Sequence, residues 1–213
     1  MVVRLAEALQ VPLRERNALL LAAGYAPFYR HTQLEEPEIE VARQAVEFLL
    51  KQQEPYPAVV VDRYWNTLKV NAAAQRFLAL FPECASVTPR NGIRLIFHPQ
   101  GLRPFIENWE NVASRLLQRV HREVSANPSD KTMKDFLKEL IAFPGVPSRW
   151  NTLNMEGSPL PFLTINYKYK NRTQQLFSTI TTFGTPQDVA LQELRIESFF
   201  PADEPTRSFL IGC

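Results

Sequence analysis

Glycine is scarce in this chain, with seven residues in 213. That leaves little room for a phosphate-cradling loop or a strained nucleophile turn, and neither pattern occurs. Cysteine is scarcer still. Cys84 and Cys213 lie far apart, a spacing that gives neither a disulfide framework nor a metal-binding pair. The three histidines, His31, His98 and His121, have no carboxylate at ligand spacing on a shared face beyond Glu123. No apolar run reaches membrane length and no signal peptide opens the chain. These shortages argue against an enzyme, a metal site, a bound cofactor and a membrane partner, and they make the cytoplasm the default location.

Charge of one sign is also lacking. Four arginines face two glutamates in the first 31 residues, and the remainder holds 20 basic and 20 acidic residues. The excess positive charge therefore sits at the N-terminus, where it forms only a weak patch for a polyanion. Proline, at 17 residues, is plentiful and marks many stiff element boundaries.

Taken in order, residues 1–25 read as two short helices. Pro12 sits at a helix start and Gly24 at a stop. The pair is too small to fold alone. A helix follows from about Pro37 to Gln53, with Ile39, Ala42, Val46 and Leu49 on one face. Ala58–Asp62 and Thr67–Val70 read as two short strands, and Asn71 caps the helix after them. From Arg103 to Val124 the positions Phe105, Ile106, Trp109, Val112, Ala113, Leu116, Val120 and Val124 have helical spacing. Asp130 can cap a further helix whose core face is Met133, Phe136, Leu137, Leu140 and Ile141. Residues 160–170, 174–183 and 194–200 read as three long strands, with Asn171-Arg172 as a turn, which brings the strand count to five. Residues 204–213 read as a loose tail.

Two stretches carry a resemblance. Val2–Tyr29, and within it RERNALLLAAGYAP, resembles the last two helices of an Xre-type helix-turn-helix domain, in the branch that carries a MmyB-like ligand-binding domain. VVVDRYWNTLKVNAAAQRFL and IRLIFHPQGLRPFIENWENVASRLL resemble that ligand-binding domain, and the likeness runs from Val41 to Asp203. The helix that would read DNA in the major groove is absent from this sequence, whether Met1 is a true start or the chain is cut. DNA binding by the 213 residues themselves is therefore expected to be weak or absent.

The resemblance implies an α+β fold: a PAS-like five-stranded antiparallel sheet with packed helices in residues 37–203, preceded by a helix-turn-helix remnant in residues 1–31. It also implies a homodimeric transcription regulator that senses a small, fatty-acid-like apolar ligand. Structural dimerisation without a ligand is the alternative.

Within that frame the ligand would meet Arg94, Phe97, His98, Phe105, Asn108, Trp109, Phe162, Tyr167, Phe177 and Thr181. Arg94 to His98 is the expected polar mouth. Trp109 and Phe105 point inward from the helix, and a core tryptophan is the plain alternative. Tyr167 shares a strand face with Leu163, Ile165 and Tyr169. Phe177, Thr179, Thr181 and Phe183 share another, a mixed aromatic and hydroxyl face that suits a pocket and is equally ordinary in a strand. Trp65 reads as a hydrophobic cap, and His121 as part of a solvated polar face.

Overall fold

Five strands form one sheet in the order β2-β1-β5-β4-β3, every neighbouring pair antiparallel. The strands are β1 Ala58–Val61, β2 Thr67–Val70, β3 Thr164–Tyr169, β4 Arg172–Thr181 and β5 Arg195–Pro201. The computed structural model describes residues 1–32, 36–88, 90–151, 163–184 and 186–212. The α+β class and the five-stranded antiparallel sheet are those expected.

Local chemistry sets both hairpins. Between β1 and β2 the Asp62 carboxylate accepts the backbone N–H groups of Tyr64 and Asn66, which folds the chain back within four residues. Trp65 sits in that turn with φ +68°. Between β3 and β4, Lys170 and Asn171 both have positive φ, +45° and +60°. Two left-handed residues make the tight turn whose twist matches a hairpin. The turn thus falls one residue earlier than Asn171-Arg172.

Helices cover both faces of the sheet. On one face α3, Glu40–Gln52, buries Val46 and Leu50 against Ala58, Val60, Leu194 and Ile196. On the other lie α4 Ala72–Ala79, α5 Gly92–Phe97, α6 Trp109–Ala126 and α7 Lys131–Ala142. Asn71, Asn91 and Asp130 cap α4, α5 and α7, each accepting a backbone N–H three residues on. The apolar stripe of α6 buries Val112, Ala113, Leu117 and Val120 completely. Phe105 and Ile106 belong to a separate single turn and its exit, so the long helix starts at Trp109 and not at Arg103. Pro104 removes an N–H there, and Ile106 makes a bridge to Tyr167 of β3 instead.

The N-terminal helices, α1 Val2–Ala8 and α2 Leu13–Ala22, dock beside α8, Val189–Glu193. Gln192 Oε1 accepts the free N–H of Leu13, and the Glu193 carboxylate takes a two-pronged bond from Arg14.

Two expectations are corrected. Residues 204–211 are no loose tail: Asp203 caps α9, Glu204–Ile211, which rests on β4 and β5. Thr206 and Leu210 are buried, and the Thr206 hydroxyl accepts the N–H of Gln175. His121 is not on a solvated face. It is buried, with its ring Nε2 2.9 Å from the Trp150 carbonyl oxygen. The flanking Arg119 and Arg122 made the position look polar, but at 100° per residue the neighbours of a helical position point elsewhere.

Asn71 is the most heavily used polar side chain in the sheet–helix junction. Its Oδ1 accepts Ala58 N–H and Ala74 N–H, and its Nδ2 donates to the Leu50 and Tyr56 carbonyls. It is 6% exposed. Asn71→Ala leaves these groups without partners. We expect a loss of about 2–4 kcal/mol of unfolding free energy, read as a lower urea midpoint at unchanged slope. A shift under about 0.5 kcal/mol would show that water replaces the side chain.

Candidate functional site

The side of the sheet that faces α4, α5 and α6 is not filled. A chamber of about 740 Å³ lies there, within the usual range for small-molecule sites. Its floor alternates along the strands as a pleated sheet must: Val59 and Val61 of β1, Ile165 and Tyr167 of β3, Leu176, Ser178 and Ile180 of β4, Glu197 and Phe199 of β5. The helical roof adds Ala74, Phe77 and Leu78 of α4, Ile93 and Ile96 of α5, and Leu116 and Arg119 of α6. The wall is mostly apolar.

The polar exception sits at its centre. Glu197 lies on the middle strand, paired with Val59 on one side and Ile180 on the other. The accessible surface it retains therefore opens into the chamber. Its Oε1 accepts a hydrogen bond from Ser178 Oγ at 2.7 Å. Burial holds its carboxyl above the ordinary range, although Ser178 and the positive charge of Arg119 both oppose the shift. Burial likewise lowers Arg119, against the pull of Glu197. The two groups attract each other but form no ion pair within 4.0 Å. Each is desolvated more than it is compensated.

Trp65 closes one end. It is 2% exposed, and two guanidinium groups lie against its ring, Arg119 at 4.6 Å and Arg195 at 4.7 Å from the centroid. Arg195 is held in turn by Glu123 of α6 at 2.9 Å. Cys84 also lines the chamber, and burial pushes its thiol up to about 11. It stays protonated near neutrality, which removes the nucleophilic form. Among the described residues, no group of three or more His, Cys, Asp and Glu is placed to hold a metal ion.

Of the ten residues singled out from sequence, Tyr167 alone is placed by the described structure on the chamber wall; Phe162 lies outside the described residues. Trp109 is a core residue whose indole N–H donates to the Ile96 carbonyl, with Phe97 and Trp150 at its edges. Phe97 is fully buried between Trp109 and Phe143. Asn108 pins the start of α6 to β3, donating to the Thr164 carbonyl and accepting the Asn166 N–H. Arg94 pairs with Glu139 and lies over Phe136, and His98 Nδ1 accepts the Gln100 N–H. The expected mouth at Arg94–His98 is thus a docking seam between α5 and α7. Phe105 lines a separate surface cleft with Pro99, Gln100 and Pro104. Phe177 and Thr181 are on the face of β4 that points away, where Phe177 stacks on Phe200. Both faces of this sheet carry helices, so a mixed composition does not tell which parity looks inward. Glu197, Ser178, Arg119 and Trp65 were missed. A glutamate on the same strand face as Phe199, two residues after Arg195, was the available signal.

An α+β domain with a helix-roofed, ligand-sized chamber over a 2-1-5-4-3 sheet defines a binding module. The model of the MmyB-like transcription regulator ligand binding domain matches residues 42–211, and the chain belongs to that family. A comparison with curated protein sequences gives no match. No helix among the described residues is long and apolar enough to cross a membrane.

Burial of Glu197 makes a pH prediction. Its folded carboxyl takes up a proton at higher pH than an unfolded one, which titrates near about 4.3. The destabilisation is therefore absent below that range and grows as pH rises through the folded value. Glu197→Gln should be more stable than the parent by about 1 kcal/mol at pH 8, a typical size for a point substitution. The gap should close by about pH 4. Thermal melts across pH test this, and a pH-independent offset would contradict it.

Proposed function

We propose that this chain is the sensing part of a transcription regulator, that its chamber takes a small apolar molecule with a fatty-acid-like chain, and that occupancy is passed to DNA-binding heads through a homodimer. Membership of the family supports the regulator role. The observation that carries the ligand is the chamber itself, a space that the apolar floor and roof leave unfilled beside their contact at Phe77 and Tyr167. A space of about 740 Å³ holds roughly two dozen water-sized volumes. A purely structural module has no use for such a void.

Binding, and not conversion, is the role proposed. Cys84 is kept protonated, and the Glu197 carboxyl has a serine hydroxyl beside it but no base within a hydrogen-bonded relay among the described residues. The head end is proposed at the N-terminal helices. There Leu5, Leu9, Leu19 and Leu21 are exposed, apolar surface suited to the other helices of a DNA-binding domain. The pairing surface is proposed on α3, where Val41 and Phe48 lie 80% and 72% exposed, one above the other at seven-residue spacing. A change in the dimer would alter the separation of two heads that must meet half-sites about 34 Å apart. Such a regulator works in the cytoplasm, beside its DNA.

Native mass spectrometry and lipid extraction of the purified protein should reveal a bound apolar molecule. A panel of single-chain amphiphiles of ten to sixteen carbons should raise the melting temperature, since saturation at a hundred times Kd contributes about 2.7 kcal/mol. An empty protein with no shift across the panel would remove the ligand from the proposal. Light scattering on the parent and on Phe48→Glu tests the dimer: the parent should be dimeric at micromolar concentration and the variant monomeric with an unchanged fold. A monomeric parent would refute the pairing.

A further inference from the structure

An acidic and a basic side chain face one chamber without forming an ion pair. Arg119 descends from α6 in the roof and Glu197 rises from β5 in the floor, both on the wall of the same cavity. Neither finds an ion-pair partner within 4.0 Å among the described residues. Arg119 has the Trp65 ring and the more distant fields of Glu197 and Glu123. Glu197 has one hydrogen bond, from Ser178. Elsewhere in this chain arginines near carboxylates close on them: Arg14 and Arg63 on Glu193, Arg94 on Glu139, Arg195 on Glu123. In the chamber the two side chains share one wall and form no ion pair with each other within 4.0 Å.

Resting on the ligand-binding reading above, we infer that the chamber selects an amphiphile whose head group is uncharged and both donates and accepts a hydrogen bond, a primary amide or an alcohol, over the free carboxylate of the same chain. The head's acceptor oxygen takes an N–H from the Arg119 guanidinium, and its N–H or O–H donates to the Glu197 carboxylate. Such a dipolar group completes both charges and adds none. A carboxylate also pairs with Arg119, but it brings a second negative charge against Glu197 in an apolar setting. It must then take up a proton or lose the contact. Glu197 thus acts against anionic ligands as well as for neutral ones, the repulsive half of a specificity device. A site whose polar groups expect both a donor and an acceptor also discriminates strongly against a head that lacks one. The alkyl tail lies along Val59, Ile165, Leu176 and Ile180, all on the floor around the pole.

The experiment measures binding of dodecanamide, dodecan-1-ol and dodecanoate to the delipidated 213-residue protein at pH 7.5, by thermal shift and by calorimetry. In the parent, amide and alcohol should bind about tenfold or more tighter than the carboxylate, about 1.4 kcal/mol. Glu197→Gln removes the repelling charge in a nearly equal shape. There the carboxylate should gain about tenfold and the preference should vanish, with folding checked by the melt. Arg119→Met is the independent check: it should weaken all three ligands more than it weakens dodecane, whose binding reports any change in the chamber itself. A parent that prefers dodecanoate, with the same preference in Glu197→Gln, overturns this inference and leaves ligand binding intact. Binding of none of the probes, with nothing apolar co-purifying, overturns both.

Discussion

A single indole ring sets how the sheet and its helical roof meet. Trp65 occupies the tip of the β1–β2 turn in a left-handed backbone conformation that an aromatic side chain rarely adopts. Its N–H is buried with no hydrogen-bond partner, a cost of about 1–3 kcal/mol. The ring is therefore held by what lies on it: Arg119 from α6 and Arg195 from β5, each within 4.7 Å of its centroid. Desolvated contacts of this kind contribute about 2 kcal/mol or more each. The turn, the roof helix and the central strand are thus tied at one point, and Glu123 returns from α6 to hold Arg195. The tie fixes the roof at a distance. With the roof fixed, α4 meets the floor where Phe77 packs edge-on against Tyr167, and the chamber remains beside that contact.

That arrangement explains why polar groups persist at the centre of an apolar space. In an ordinary core a glutamate on the middle strand would be a defect costing several kcal/mol. Here its surroundings are partial: one serine hydroxyl, one distant guanidinium and an opening. The protein carries the remaining desolvation as a standing cost. A molecule that completes both charges recovers it, whereas a purely apolar one would not. On the proposed reading, specificity at this site resides in Arg119 and Glu197, which the fold leaves without an ion pair to each other, while the volume of the chamber sets how much chain can enter.

Much of the architecture was legible because it depends on short-range rules. The caps at Asn71 and Asp130, the alternation of Ile165 and Tyr167 and the count of five strands each follow from a few adjacent residues. The site was less legible because it depends on which face of each element meets which neighbour. Trp109 has better helical credentials than Trp65 and is a core residue with its N–H satisfied at Ile96. Phe177 and Thr181 have a pocket-like composition, yet their parity looks toward the α3 side, while the plainer Leu176, Ser178 and Ile180 look inward. Asn108 and Arg94 drew notice as polar groups beside aromatics, and both are spent on joining elements. Polar residues near aromatics identify seams as readily as pockets. A charge in the middle strand, as Glu197 is, discriminates better, because a seam seldom crosses the centre of a sheet.

The central strand also bears on how the site communicates. Glu197 stands on the chamber floor, Arg195 two residues earlier lies against Trp65, and Glu193 two residues before that holds Arg14 of α2. Glu193 holds Arg63 as well, and Arg63 reaches Asp130 at the start of α7. Side chains at positions 193, 195 and 197 therefore join the N-terminal helices, the tryptophan tie and the chamber across the junction where α8 runs directly into β5. Surface ion pairs are weak individually, but Arg63 and Asp130 are largely buried and share a network. On the proposed reading, a group that engages Glu197 would act on the strand that follows directly from the anchor of α2. On the proposed reading, one strand paired on both sides and continuous with the end of α8 would let the occupancy of the chamber and the seating of the N-terminal helices depend on the same few backbone positions.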